Sequence, residues 1–236
     1  MGSGAERGDG AAPDGDTAAS GASNGRPAQD DKGEDRLTSI SKEMANHLRH
    51  DPPEGMDGCG FVPVTRLVDK MEQETSPEEV LEAVRQDEKG RYQLFDEGEG
   101  EPRVRAVQGH SVPLKNPLHD PICAPEEVPL ALHATSPENW EQIQRSGELR
   151  RMHRTHVHFA SEPRHLRGND WASVLLQVDL RRAIEAGLPF CRAANGVVLS
   201  EGPIPVQFLR PVKLRDLPED WQREIPNRER LLQEER

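Results

Sequence analysis

The chain has 236 residues, and 30 lysines and arginines against 42 aspartates and glutamates give it a formal net charge of −12. This acidic balance argues against a protein that holds nucleic acid or an anionic membrane by general electrostatic attraction, so any such partner needs a local basic cluster. The apolar fraction of 33% is lean for one compact domain of this length, which places part of the chain outside a hydrophobic core.

The first segment, residues 1–36, contains no apolar side chain larger than alanine apart from Met1. Ordering a chain costs about 1 to 2 kcal/mol per residue, and this segment has too little apolar surface to offset that cost. We therefore predict a disordered acidic tail over 1–36 and an ordered part that begins near Leu37.

The next segment, residues 37–111, has the pattern of a small helical lobe with a hairpin. Apolar residues recur every four positions in its first helix, and Asp51-Pro-Pro ends that helix. Ser76 and Pro77 supply the N-cap and first position of the third helix. The predicted elements are helices over 40–50, 64–71 and from 76 onward, and strands over 91–95 and 103–107. This order predicts a winged-helix lobe, a fold that more often binds nucleic acid than catalyses.

A proline-rich linker over 112–128 separates this lobe from a second one over 129–221, and a charged C-terminal tail over 222–236 follows. Short strands with few helices favour an α+β lobe over a doubly wound parallel sheet. The elements predicted there are strands over 130–134, 157–160, 174–178, 196–199 and 206–209, and helices over 136–147 and 179–186. The chain contains neither GxGxxG nor GxxxxGK[ST], so neither of these phosphate loops would hold a bound nucleotide.

Arginine and histidine residues gather in three segments, and three interpretations compete for them. Singly, each is most simply a surface charge or a structural histidine. His156 and His158 share one strand face, but no further ligand is placed to complete a zinc tetrahedron. Several arginines meeting in a cleft would instead bind a phosphoryl group, because the guanidinium fork stays charged and binds phosphate bidentately. The segments are Arg49-His50, 103–111 and 153–158.

Six motifs follow one another between Ile40 and Leu214. They are Ile40-Ser-Lys-Glu-Met-Ala-Asn-His-Leu-Arg-His50, Gly60-Phe-Val-Pro-Val64, Val104-Arg-Ala-Val-Gln-Gly-His-Ser111, Leu132-His-Ala-Thr135 with Trp140 and Ile143, Arg154-Thr-His-Val-His-Phe-Ala160, and Arg192-Ala-Ala-Asn-Gly-Val197. In this order and spacing the chain resembles the NAD-dependent RNA (tRNA) 2′-phosphotransferases.

The resemblance implies a winged-helix RNA-binding lobe joined to an ADP-ribosyltransferase-like NAD-binding lobe with a split β-sheet, with the active site between them. It implies that the protein removes the 2′-phosphate from a tRNA splice junction in two steps. The RNA 2′-phosphate attacks the nicotinamide riboside of NAD and releases nicotinamide, and the ribose 2″-hydroxyl then attacks the phosphate. The products are 2′-OH RNA and ADP-ribose 1″,2″-cyclic phosphate. NAD is thus the co-substrate, and no metal is implied.

The resemblance also implies a role for individual residues. Those implied to hold the 2′-phosphate are Arg49, His50 and Arg105. Those implied to bind NAD are His133, Thr135, His158, Asn195 and Val197. His110 and Ser111 are implied as further contacts to phosphate or adenylate.

Two positions depart from the family pattern. Ala134 replaces a glycine, a small change next to the implied nicotinamide contact. Asn169 stands where the family has a fourth catalytic arginine, and Arg167 is the residue that could replace it if the loop is two residues longer. Without such an arginine, we expect the reaction to stop at the ADP-ribosylated phosphate.

Other expectations concern location and partners. No apolar run approaches the about 20 residues that span a bilayer and no signal peptide pattern is present, so we expect a cytoplasmic monomer with no membrane partner. The three separated cysteines, Cys59, Cys123 and Cys191, predict reduced thiols without a catalytic role.

Two alternative functions remain open at this point. One is an ADP-ribosyltransferase that modifies the terminal phosphates of nucleic acids. The other is a non-catalytic RNA-binding module built on the winged helix.

Overall fold

A computed structural model describes residues 29–96, 98, 100–166, 168–169 and 171–234, with side chains described from Arg36 to Gln233. Most of the predicted tail, residues 1–28, lies outside this range. Arg167 also lies outside the described residues. The fold is α+β, as predicted.

Residues 29–111 form the first lobe, in which three helices pack against a three-stranded antiparallel sheet in the order β1-β3-β2. Ile40, Met44 and Leu48 are completely or almost completely buried, which confirms the helical periodicity of the first segment. The elements are α1 (Gln29–His50), β1 (Val62–Pro63), α2 (Val64–Lys70), α3 (Pro77–Arg85), β2 (Tyr92–Phe95) and β3 (Arg103–Ala106).

The N-cap at Ser76 is confirmed. The Ser76 hydroxyl accepts a hydrogen bond from the Glu79 amide at 3.3 Å, and the Glu79 carboxylate accepts one from the Ser76 amide at 2.9 Å. This reciprocal pair satisfies two amides that the first helical turn leaves unpaired. The start of α1 differs from the prediction. The helix begins at Gln29 rather than at Ile40, so residues 29–36 of the predicted disordered tail are helical.

Residues 120–234 form the second lobe, which is built from short strands. Its strands are β4 (Asp120–Pro121), β5 (Leu132–Thr135), β6 (Glu148–Leu149), β7 (Val157–Phe159), β8 (Val174–Val178), β9 (Cys191–Arg192), β10 (Val198–Ser200), β11 (Ile204–Pro205) and β12 (Leu209–Val212). Its helices are α4 (Pro137–Ser146), α5 (Leu180–Glu185), α6 (Glu219–Glu224) and α7 (Arg228–Glu234).

All strand pairs of the second lobe are antiparallel, in three small sheets with the orders β4-β9-β10-β7, β12-β8-β5 and β11-β6. β5 also bridges to the end of β7 through Leu132 and Ala160. This bridge brings His133 beside His158, and both residues belong to the candidate site described below.

Three stretches differ from the sequence predictions. Residues Val206–Phe208, predicted as a strand, form a 3-10 turn because the chain passes there from the sheet of β11 to that of β12. The expected charged tail, 222–236, contains α7, whose Leu231 is buried against Trp221 and other apolar residues. The middle of the expected linker supplies β4. Within the described part of the chain, no helix is long and apolar enough to cross a membrane.

Candidate active site

Two adjoining cavities lie at the boundary of the lobes and beside it. The basic cavity, of about 160 Å³, takes residues from both lobes, and the large cavity, of about 580 Å³, lies in the second lobe. Arg154 and His158 line both. The basic cavity is lined by Arg49, Lys89, Arg91, Gln108, Gly109, Arg154, His158, His165, Asn195 and Val197.

Arg49 contributes a buried guanidinium group to the basic cavity. It projects from the last turn of α1, and its Nε and Nη2 atoms are buried with no hydrogen-bond partner. Burial, together with the nearby charges of Arg154 and Arg91, lowers the pKa of Arg49 from its usual value. Because buried donors are almost always paired, two unpaired guanidinium nitrogens indicate room for an anionic ligand.

A glycine lets the second arginine approach the first. Gly109 has φ of +90°, and a side chain there would place its Cβ 3.1 Å from Arg154 Nη1 and 3.3 Å from Arg49 Nε. The Gly109 carbonyl accepts a hydrogen bond from Arg154 Nη1. The close approach of the two guanidinium groups therefore depends on the absence of a Cβ at this position.

The basic cavity is strongly cationic. Lys89 and Arg91 add to the charge of the two arginines, and burial lowers the pKa of Lys89. Asp87 partly offsets this charge through an ion pair with Arg91 at 2.7 Å. No acidic residue is among the described residues that line the cavity. Such a concentration of positive charge in a protein with an acidic total favours a small, highly charged anion.

Hydrogen bonds across the lobe boundary hold the cavity together. The Thr155 amide donates to the His110 carbonyl at 2.8 Å, and Asn195 Nδ2 donates to the Lys89 carbonyl at 3.1 Å. Lys89 Nζ in turn donates to the Leu166 carbonyl at 3.4 Å. We call these contacts the interlobe clamp, together with the bond from Arg154 to the Gly109 carbonyl.

His158 and His133 lie at the boundary of the two cavities. The pKa of His158 is lowered to about 3, first by burial and then by the positive charge of Arg154, so its ring is neutral at pH 7. Its Nε2 atom is buried without a partner. His133 Nδ1 lies 3.0 Å from the His158 carbonyl, which can only accept, so the proton of His133 is on Nδ1. This bond fixes the orientation of the His133 ring.

His50 and Ser111 sit beside Arg49 without lining either cavity. His50 Nδ1 and the Ser111 hydroxyl form a hydrogen bond of 2.9 Å, and the Ser111 amide donates to the Arg49 carbonyl at 3.0 Å. Burial and the charges of Arg154 and Arg49 lower the pKa of His50. The pair therefore ties the end of α1 to the segment after β3.

Arg105 is not brought to the basic cavity. It is only 2% exposed, and each of its three guanidinium nitrogens already donates a hydrogen bond within the protein. Nε and Nη2 donate to Gln93 Oε1 at 3.0 and 2.8 Å, while Nη1 donates to the carbonyls of Pro117 and, more weakly, Cys59. The guanidinium also lies over the Phe61 ring, 5.2 Å from its centroid. In this geometry Arg105 stabilises the join between the first lobe and the linker.

The other predicted residues divide between the two cavities. His133, Ala134 and Thr135 line the large cavity, and Asn195 and Val197 line the basic one. His110 lines neither cavity. It is buried with its Nε2 unpaired, and burial, followed by the charge of Arg49, lowers its pKa to about 3.

The loop around Asn169, where the sequence departs from the family pattern, borders the large cavity. Leu166 and Trp171, on either side of it, are both lining residues. Asn169 itself is exposed, and its carbonyl accepts hydrogen bonds from Asn227 and from the Ala172 amide. The replacement of the missing arginine by Arg167, outside the described residues, stays a prediction.

Residues 35–202 match the model of the family described as "RNA 2'-phosphotransferase, Tpt1 / KptA family". The chain belongs to this RNA 2′-phosphotransferase family. It is 34% identical over 184 residues to a probable RNA 2′-phosphotransferase of Rhizobium leguminosarum, which covers 74% of this chain and 94% of the relative. The tRNA 2′-phosphotransferase 1 proteins of mouse and human are each 32% identical, covering 81% and 82% of this chain and 83% and 82% of their own lengths.

The RNA 2′-phosphotransferase family is a transferase family, so the sequence prediction of a transferase is confirmed. The structure adds four basic residues of the basic cavity that were absent from the predicted site. Arg154 belongs to a recognised motif and was available from the sequence. Lys89, Arg91 and His165 lie in loops or strand ends, where no sequence pattern indicates that they meet.

Proposed function

We propose that this family member is an NAD-dependent RNA 2′-phosphotransferase, which binds the RNA 2′-phosphate in the basic cavity and NAD in the large cavity. The observation that carries the proposal is that the two cavities adjoin at Arg154 and His158. A phosphate held in one is therefore next to a ligand held in the other, as transfer between them requires.

The basic cavity supports the phosphate assignment through Arg49. Its two unpaired buried nitrogens can donate a bidentate pair of hydrogen bonds to phosphate oxygens, and Arg154 approaches from the other lobe. In the proposal, His50 completes the set as a neutral hydrogen-bonding group beside Arg49. Arg105 would reach the phosphate only by giving up its bonds to Gln93.

The large cavity supports a dinucleotide. Apolar and aromatic side chains such as Ile143 and Trp171 line it together with Arg150 and Arg151. Apolar surface suits the rings of NAD, and basic residues suit its pyrophosphate. In the proposal, His133 and Thr135 contact the nicotinamide nucleotide at the end that adjoins the basic cavity.

The chemistry needs positioning more than proton transfer. A phosphate monoester is already ionised at neutral pH, so it can attack a sugar carbon without a general base. The protein then contributes by holding the phosphate and neutralising its charge, which arginines do at any physiological pH. The low pKa of His158 keeps that ring neutral, so it adds no further charge at the reacting centre.

The proposal extends to the lobes. Three helices and an antiparallel sheet with the β2-β3 hairpin support a winged-helix assignment for the first lobe, which would then bind RNA. The short antiparallel sheets around the large cavity support an ADP-ribosyltransferase-like assignment for the second. The small size of the basic cavity favours contact with one phosphate over a long stretch of RNA.

The proposal is tested by incubating the full chain with NAD and an oligonucleotide that carries one internal 2′-phosphate. We expect nicotinamide release, a 2′-OH oligonucleotide and ADP-ribose 1″,2″-cyclic phosphate, with no reaction on the matched 2′-OH oligonucleotide. Nicotinamide release with only ADP-ribosylated oligonucleotide would show that the second step fails. Reaction with a 5′-monophosphate end instead would favour the terminal-phosphate alternative, and no NAD-dependent product would refute the proposal.

A further inference from the structure

A group of metal-ligating side chains lies beside the proposed active site, and of its three members only His156 also lines the large cavity. His119, His156 and Cys191 each place one potential ligand atom within 4.8 Å of the others, and all three side chains are half-buried. They come from the linker, the entry to β7 and strand β9, so they are far apart in sequence. His158, the other half of the HxH pair, is not a member of the group.

The sheet register explains why these residues meet. Pro121 pairs with Cys191, Cys191 pairs with Leu199 of β10, and Leu199 pairs with His158. These residues therefore form one row across the sheet. His119 precedes Pro121 by two residues and His156 precedes His158 by two. Because side chains two apart share a face, both histidines lie on the face that carries Cys191.

One nitrogen of each imidazole already lies within hydrogen-bond distance of a partner. His119 Nε2 lies 3.3 Å from the Val107 carbonyl, which can only accept, so the lone pair of this ring is on Nδ1. His156 Nδ1 lies 2.9 Å from the Thr155 hydroxyl, which leaves Nε2 for another partner. Metal-binding histidines characteristically use the second nitrogen in this way, because that bond fixes the ring.

The electrostatic surroundings suit a cation of moderate charge. Burial lowers the pKa of both His119 and His156, so each offers a neutral ring at pH 7. Burial and, second, the Glu201 carboxylate raise the pKa of Cys191 to about 11, so its thiol keeps its proton until a metal replaces it. The negative charges of Glu201 and Asp120 face His156 and His119, respectively. Positive charge also faces the group, from Arg151 toward His156 and from Arg105 toward His119.

We propose that His119, His156 and Cys191 form a zinc-binding site that fastens the linker to the sheet of the second lobe. Two imidazoles and one thiolate are a donor set that Zn²⁺ favours over harder cations. Ligand atoms in a tetrahedral zinc site are about 3.3 to 3.7 Å apart, so small side-chain rotations suffice. Binding replaces the thiol proton of Cys191 by the metal and releases that proton to solvent. Glu201 or water supplies the fourth position.

The site is tested with the full, reduced chain and metal alone, so the result does not depend on the proposed function. Titration with Co²⁺ should produce a thiolate-to-cobalt absorption band that saturates at one ion per chain and disappears when Zn²⁺ is added. Cys191→Ser should abolish the band. Loss of a residue that only supports a ligand typically weakens metal binding by about 10- to 100-fold, and His119→Ala should weaken Zn²⁺ binding by more than that. Cys59→Ser is the matched control, because Cys59 is a half-buried thiol outside the group.

A second measurement needs no variant. Zn²⁺ should slow alkylation of Cys191 in the wild-type chain, as read by peptide mass spectrometry, while alkylation of the exposed Cys123 proceeds unchanged. Zn²⁺ should also raise the Tm of the wild type and of Cys59→Ser, but not of Cys191→Ser. Absence of the cobalt band, its persistence in Cys191→Ser, or equal protection of Cys123 would overturn the proposal.

Discussion

Replacing Arg49 by alanine should separate activity from stability. In the proposal, the Arg49 side chain binds the RNA 2′-phosphate. In the structure, its guanidinium group has two buried nitrogens that lack a hydrogen-bond partner among the described residues. An interaction that exists only with substrate bound contributes to turnover and not to folding. We therefore expect Arg49→Ala to lose activity while its Tm stays equal to that of the wild type or rises.

The size of the loss follows from the hydrogen bonds. A hydrogen bond to a charged group contributes about 1.5 to 3 kcal/mol, so two such bonds to phosphate contribute about 3 to 6 kcal/mol. At tenfold in rate for each 1.4 kcal/mol, kcat/KM should fall by about 10² to 10⁴. Removing a buried cation without a partner also relieves its desolvation penalty, which is why the Tm should not fall.

The assay measures nicotinamide release from NAD with a 2′-phosphorylated oligonucleotide, beside thermal unfolding of the same sample. Arg36→Ala is the matched control, because Arg36 lies on the same helix but pairs with Glu79 at the surface. Arg49→Lys should recover only part of the activity, since lysine keeps the charge but lacks the planar fork. A kcat/KM within tenfold of the wild type in Arg49→Ala, or a Tm well below it, would refute the reasoning.

Three further predictions follow from neighbouring residues. Arg105→Ala should lower the free energy of unfolding by about 2 to 4 kcal/mol in denaturant titrations, because a buried side chain loses its hydrogen bonds and its packing on the Phe61 ring; an unchanged midpoint would contradict this. Gly109→Ala should reduce kcat/KM at least about tenfold and destabilise the fold by about 1 kcal/mol, since its Cβ would push Arg49 and Arg154 apart at a positive φ; wild-type kinetics would count against it. The native state holds fewer protons on His158 than the unfolded chain between about pH 6.5 and 3, so stability is full above this window and falls as the pH drops through it, by up to about 1.4 kcal/mol per pH unit. His158→Asn should flatten the fall in Tm between pH 7.5 and 5.5, and an equally steep fall in that variant would exclude the mechanism.

Local signals in the sequence predicted local structure well. The cap at Ser76, the hairpin of β2 and β3 and the glycine that ends α4 depend on neighbouring residues, and all are found as expected. The strand predicted over 206–209 was wrong at Val206–Phe208, because apolar residues there suit either a strand or a turn. Only the pairing between sheets decides which of the two forms.

The site was predicted as a set of motifs, and its geometry was not. Arg105 and Arg154 both belong to recognised motifs, yet Arg105 donates to Gln93 while Arg154 lines both cavities. Which way an arginine points depends on the acceptors that tertiary structure brings near it, and motif order carries no such information. For the same reason, the meeting of His119 with Cys191 becomes visible only in the assembled sheet.

The interlobe clamp has a consequence for how this enzyme family can vary. Its acceptors are backbone carbonyls, at Lys89, Gly109, His110 and Leu166. A carbonyl is present whatever the side chain, but three of the four donors are side chains, those of Lys89, Arg154 and Asn195. The spacing of the lobes therefore depends on these three side chains as well as on the main chain. If the proposed sites are correct, loss of any one of these donors should change the separation between the phosphate and the co-substrate.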